Sequence, residues 1–138
     1  MRCEDAIQQA ENDEIDLPAI LRDVRVLARH GSFAVAARRF GELRLENGRH
    51  LKLERDALRW LGAGHFADLQ RLAASRTRLL RLEAICAAAL DLWACAEYEA
   101  AADALEQELL TYAALEQKLN RYLHRHPVLR RPKGVTRS

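Results

Sequence analysis

The chain has 138 residues, a length that fits one domain with its own hydrophobic core. It is 49% hydrophobic with only 6 Gly and 3 Pro, and it is rich in Ala, Leu, Arg and Glu, so an all-α fold is predicted. Because 22 basic residues face 20 acidic ones, the net charge of +2 argues against nucleic acid as a general partner.

The first element follows an acidic lead-in, residues 1–16, which is thin in apolar residues and has no signal-peptide core. Asp16 is the predicted N-cap of a helix that begins near Leu17, with Pro18 in its first turn. Gly31 is predicted to end this helix.

The second helix is predicted from Ser32, its cap, to about Leu61, before a turn at Gly62 and Gly64. Steps of four and three residues define one face, composed of Ala36, Phe40, Leu43, Asn47, His50, Glu54, Ala57 and Leu61. His50 and Glu54 lie one turn apart on this face, so both can reach the same ion or partner. With Asn47, they predict a polar site inside an apolar seam, although a half-exposed pair has the same spacing.

The third helix is predicted from about His65 to Trp93, and Arg76 lies on its otherwise mostly apolar face. A fourth helix from about Tyr98 to Arg125 carries another polar pair, Tyr112 and Glu116, four residues apart. The break between them carries no Gly or Pro and is inferred from pattern and length. Four amphipathic helices with short connections predict an up-down-up-down antiparallel four-helix bundle over residues 17–126.

The tail, residues 127–138, belongs to an Arg-rich segment without acidic residues, and it is predicted to be disordered. The cysteines Cys3, Cys86 and Cys95 have neither metal nor disulfide spacing, and no apolar run is long enough to span a bilayer. A protein of the reducing cytoplasm without membrane attachment is therefore expected.

With these features the chain resembles the hemerythrin-like, or HHE cation-binding, domain family over about residues 17–125. The resemblance implies a four-helix bundle with a diiron centre between the helices. It is closest in GSFAVAARRFGEL, followed by His50-x-x-x-Glu54 and Leu58. The family pattern has a histidine on the first helix, H-x-x-x-E on the second, a histidine pair on the third, and a histidine followed by an acid on the fourth.

Most of the implied ligands are replaced in this chain. Val24 occupies the first-helix position, Arg76 and Leu80 align with the third-helix histidines, and Tyr112 stands for the histidine that precedes Glu116. A diiron centre needs several imidazoles and bridging carboxylates, so we predict that it does not assemble. The expected vestigial metal site consists of His50, Glu54, Tyr112 and Glu116.

Arg76 is the expected replacement for the metal. A guanidinium can bond two carboxylates through its forked donors, so the hypothesis places Arg76 between Glu54 and Glu116, with His50, Asn47 and Tyr112 completing the hydrogen bonds. The alternative is that Arg76 extends to solvent and the helix face is misphased.

Three functions are compatible with these residues. The leading expectation is a non-catalytic binding or regulatory module without a cofactor, with an unknown protein partner or a second copy as its partner. The second is a protein that holds a single iron, zinc or manganese ion for sensing, storage or handling of an oxygen species. The third is an adaptor that binds an acidic partner through the Arg-rich tail. An enzyme is not expected, because no phosphate loop, nucleophile elbow or Cys-x-x-Cys motif is present.

Overall fold

The computed structural model describes residues 16–59, 61 and 63–125. The lead-in before Asp16 and the Arg-rich tail lie outside these residues, so the predictions of disorder and of an adaptor role for the tail stay predictions. Within the described part there are four α-helices and no strand: α1 (Leu17–Arg29), α2 (Phe33–Leu58), α3 (Phe66–Asp91) and α4 (Cys95–Arg125). A short 3₁₀ turn, Ala63–His65, precedes α3. The predicted all-α class is confirmed.

The caps of α1 form as the sequence predicts. The Asp16 carboxylate accepts a hydrogen bond from the Ala19 backbone N–H at 3.0 Å, and Pro18 lies in the first turn. Gly31 has φ +79°, a left-handed conformation that a glycine adopts without a steric penalty. The amides of Gly31 and Ser32 bond the carbonyls of Ala28 and Leu27, which closes the helix and turns the chain into α2.

The connection between α3 and α4 differs from the prediction. Helix α3 ends at Asp91 and α4 begins at Cys95, three residues before the predicted start at Tyr98. Trp93 turns the chain with φ +55°, which is uncommon for a residue other than glycine, asparagine or aspartate. Its ring stacks on Phe33 with centroids 5.6 Å apart, and this contact accompanies a turn for which the sequence shows no Gly or Pro.

Ion pairs give the directions of the helices. Arg25 of α1 bonds Glu106 of α4 at 3.1 Å, while Arg29, one turn later, bonds Glu99 at 2.8 Å, so α1 and α4 are antiparallel. Helix α3 is antiparallel to α4, since Arg78 pairs with Glu108 and the earlier Asp68 pairs with the later Lys118.

Helices α2 and α4 lie across the bundle from each other. Each packs against α1 and α3, and α1 is antiparallel to both, so α2 and α4 run in the same direction. The predicted up-down-up-down four-helix bundle is thus confirmed. No helix in the described part of the chain is long and apolar enough to cross a membrane.

The core is formed by one face of each helix. Its largest fully buried side chains are Tyr98, Phe40, Leu21, Leu43, Leu72, Leu79, Leu90, Leu105, Leu119, Glu54 and Glu83. Two carboxylates in this set are exceptional, because burial of an ionised group without a partner is costly. They mark the polar part of the interior.

Candidate metal site

The polar residues of α2 point into the bundle. Asn47 and Glu54 are 2% and 1% exposed, and the His50 side chain is 16% exposed. They share their face with Phe40 and Leu43, which are also buried. The helical spacing that predicted a polar seam therefore has the correct phase.

His50 joins carboxylates from two helices. Its Nε2 atom lies 2.9 Å from Oε2 of Glu116 on α4 and 3.8 Å from Oε2 of Glu54, one turn further along α2. The Glu116 side chain is 21% exposed, so the cluster reaches from the buried Glu54 to the edge of the core. One ligand atom from each residue can be chosen so that all three lie within 4.8 Å of one another.

Tyr112 bonds the Oε1 atom of Glu54. Its hydroxyl donates a short hydrogen bond to Oε1 of Glu54, and the tyrosine is only 5% exposed. Burial raises the pKa of the Tyr112 phenol, and the neighbouring Arg76 guanidinium lowers it in part. The second oxygen of Glu54, Oε2, is buried and has no hydrogen-bond partner.

The structure corrects the position expected for Arg76. Its side chain is half-buried on α3 and approaches Tyr112, but among the described residues it forms no ion pair with Glu54 or Glu116. Its Nε atom is buried without a hydrogen-bond partner. One oxygen of each carboxylate instead bonds a side chain of α2 or α4: Tyr112 donates to Glu54, and His50 lies within bonding distance of Glu116.

Asn47 belongs to a separate pair. Its side-chain amide donates a short hydrogen bond to Oε2 of Glu83 on α3, and Nε of Arg44 lies 3.8 Å from Oε1 of the same carboxylate. Glu83 is 2% exposed, and burial raises its pKa while the bond from Asn47 and the charge of Arg44 lower it. Glu83 is not among the site residues predicted from the sequence, although its position between the apolar Leu79 and Cys86 on one helix face is a usable signal.

The donor set fits one ion and does not fit a diiron centre. His50, Glu54 and Glu116 supply one imidazole and two carboxylates, and the unpartnered Oε2 of Glu54 is a free donor atom in the interior. Apart from His50, the histidines whose side chains the structure describes lie at helix ends. His30 caps α1 and bonds the Val26 carbonyl, and His65 packs edge-on against Tyr122. Neither can provide the further imidazoles that paired iron requires.

The core cysteine does not extend the site. Cys86 is buried, and burial, reinforced by the charge of Glu83, raises the pKa of its thiol to about 12. A thiol that remains protonated is a poor nucleophile and a poor metal ligand.

Comparisons of the chain with protein-family models, with curated proteins and with solved structures found no match.

Proposed function

We propose that this protein is a hemerythrin-like helical bundle that binds a single divalent metal ion through His50, Glu54 and Glu116. The observation that carries the proposal is the convergence of these three donors within 4.8 Å from two helices. Imidazole and carboxylate ligands together suit iron(II), zinc and manganese(II). The site retains the second-helix ligand pair of the family that the sequence resembles, and it lacks the donors for a second ion.

The charge balance also supports an ion at this position. Glu54 is almost fully buried, and Glu116 lies close to the same imidazole nitrogen of His50 as Glu54 does. A buried carboxylate needs a cation, a proton or several hydrogen bonds, and Arg76 provides no ion pair to either glutamate. A divalent ion on His50 Nε2 would neutralise both carboxylates, with Tyr112 retaining its bond to Glu54 as an outer support.

The role that follows is ion-dependent regulation without catalysis. The site joins α2 to α4 across the bundle, so bound metal would strengthen a connection that the His50–Glu116 and Tyr112–Glu54 bonds already make. An ion at 100 times its dissociation constant stabilises the folded state by about 2.7 kcal/mol. Metal availability would thereby control how rigid the bundle is. A reducing cytoplasm suits such a protein, because Cys86 and Cys95 are free.

Metal content of the purified protein tests the proposal. Protein prepared without chelator is analysed by elemental mass spectrometry, and apo-protein is titrated with iron(II), zinc and manganese(II). One ion per chain is expected, with loss of binding in His50→Gln and Glu116→Gln. Glu46→Gln is the matched control, because Glu46 is also on α2 but pairs with Arg49 at the surface. Two ions per chain would refute the single-ion site.

A metal-free binding module is the second candidate. It is favoured by the bonds that the site already makes internally, from His50 to Glu116 at 2.9 Å and from Tyr112 to Glu54. These two hydrogen bonds would then satisfy one oxygen of each carboxylate without an ion. If the titrations with all three metals show no binding, this second candidate replaces the first.

A further inference from the structure

The outer surface of the α3–α4 hairpin carries an apolar face. This face consists of six solvent-exposed residues near the turn that connects the two helices: Ile85, Ala88, Leu92, Ala96, Ala100 and Ala104. Ile85 is 47% exposed and Leu92 is 79% exposed. A contiguous exposed apolar patch of a few hundred Å² is often a contact surface.

The register of the hairpin places these residues side by side. Arg78 lies opposite Glu108, and Asp68 lies opposite Lys118, with 3.0 and 3.2 Å between the paired atoms. Continued toward the turn, this register brings Ile85 level with Ala100 and Ala88 close to Ala96, on the same outward side of both helices. The alanines leave shallow space beside Ile85, into which a bulky side chain of a partner can pack.

One cation and one anion flank this apolar face, and neither has a partner within the described chain. Arg81 is exposed on α3 at the end nearer the middle of the bundle, and Glu97 is exposed on α4 at the end nearer the turn. Both lack ion pairs, in contrast to Arg78 and Glu108 just beyond the face. Along the helix axis the two charges are separated by about 12 Å, at 1.5 Å per residue.

We propose that this face is the contact surface of a homodimer. A two-fold axis that lies in the face, midway between Arg81 and Glu97, brings Arg81 of one copy onto Glu97 of the other. Symmetry then forms the same ion pair twice, one at each end of the contact. Ile85 lies near this axis, so it packs against Ile85 of the second copy, over the space that the alanines leave. A second copy of the chain is therefore complementary to the face in both shape and charge.

The size of the face sets the strength of the dimer. It is two helices wide and about three turns long, which gives a few hundred Å² on each copy, whereas stable complexes bury about 800 Å² per partner. The dimer is therefore weak and reversible, and the ion pairs mainly determine which orientation forms. Dissociation on dilution and at high salt is the expected behaviour.

Sedimentation velocity over a wide range of protein concentrations tests the proposal. The wild-type protein is expected to shift from monomer to dimer as concentration rises. Arg81→Glu and Glu97→Arg each place like charges together and are expected to weaken the dimer at least tenfold, whereas the double variant carrying both changes restores the pairs and the dimer.

Arg22→Glu is the matched control. Arg22 is exposed on α1, away from the face. Its replacement by glutamate changes the charge by the same amount as Arg81→Glu does, so the dimer is expected to persist. Circular dichroism melting verifies that each variant is folded. A wild-type monomer at the highest concentration reached would overturn the proposal, and so would a dimer that neither single charge reversal weakens or that the double variant does not restore.

Discussion

Removing one oxygen atom from Tyr112 should have a large effect on stability. Tyr112→Phe keeps the ring in its buried position and deletes the hydroxyl that donates to Glu54. Oε2 of Glu54 is already without a hydrogen bond, so the variant leaves both oxygens of a carboxylate that is 1% exposed without one. A hydrogen bond to a charged group contributes about 1.5–3 kcal/mol, and its loss in a buried site belongs to the upper half of that range.

The loss should appear as a shift of the unfolding midpoint. For a chain of this length, a decrease of about 2–3 kcal/mol lowers Tm by roughly 7–10 °C. Urea denaturation at pH 8 with a chelator present measures this loss in the metal-free protein. The free energies of unfolding of Tyr112→Phe, Glu54→Gln and the variant with both changes give the coupling energy between Tyr112 and Glu54, which should be at least about 1 kcal/mol.

Tyr98→Phe is a closely matched control on the same helix. Tyr98 is fully buried, but its hydroxyl has no hydrogen-bond partner among the described residues. Because removing an unsatisfied polar atom relieves a desolvation penalty, Tyr98→Phe should leave stability unchanged or raise it. A Tyr112→Phe loss no greater than that of Tyr98→Phe, or additive effects at Tyr112 and Glu54, would refute the reasoning.

Three further substitutions test other parts of the interior. Arg76→Met should change the free energy of unfolding by less than about 1 kcal/mol, because the aliphatic packing is kept and no carboxylate loses an ion pair; a loss of about 3–5 kcal/mol in urea denaturation would mean that Arg76 does pair with a buried acid. Glu83→Gln should become more stable relative to wild type as pH rises from 4 toward 7, because burial raises the pKa of Glu83 and the folded state resists its ionisation. Denaturation curves at several pH values measure this, and a difference in the free energy of unfolding that stays constant with pH would contradict it. Arg25→Met removes bonds to three acids from a side chain that is 14% exposed, so it should cost about 1–2 kcal/mol at low salt and less at high salt; thermal melts that show the same loss at both salt concentrations would rule out an ionic origin.

The helices could be predicted from sequence because their boundaries depend on local chemistry. Asp16 and Gly31 determine the ends of α1 through a side-chain cap and a left-handed residue, and both signals are visible in the sequence. The turn at Trp93 was located only approximately, because it depends on stacking against Phe33 from a distant helix. Local propensity cannot report such a contact, since it is made only after the bundle packs.

The site could be predicted as far as helical periodicity extends. Periodicity placed His50, Glu54, Tyr112 and Glu116 on inward faces, and the structure brings them together. It could not determine which donor meets which acceptor, because that depends on the relative height and rotation of helices far apart in sequence. For this reason the ion pairs predicted from Arg76 to Glu54 and Glu116 do not form, although Arg76 does lie against Tyr112 as predicted. Glu83 is missing from the predicted site for the same reason, although it lies on the predicted face of α3.

X-ray absorption of the protein loaded with one equivalent of zinc tests the single-ion site most directly. One imidazole and carboxylate oxygens are expected at about 2.0–2.2 Å from the zinc, and the imidazole signal should be lost in His50→Gln. A second metal at about 3.5–4 Å, or a first shell unchanged by His50→Gln, would contradict it.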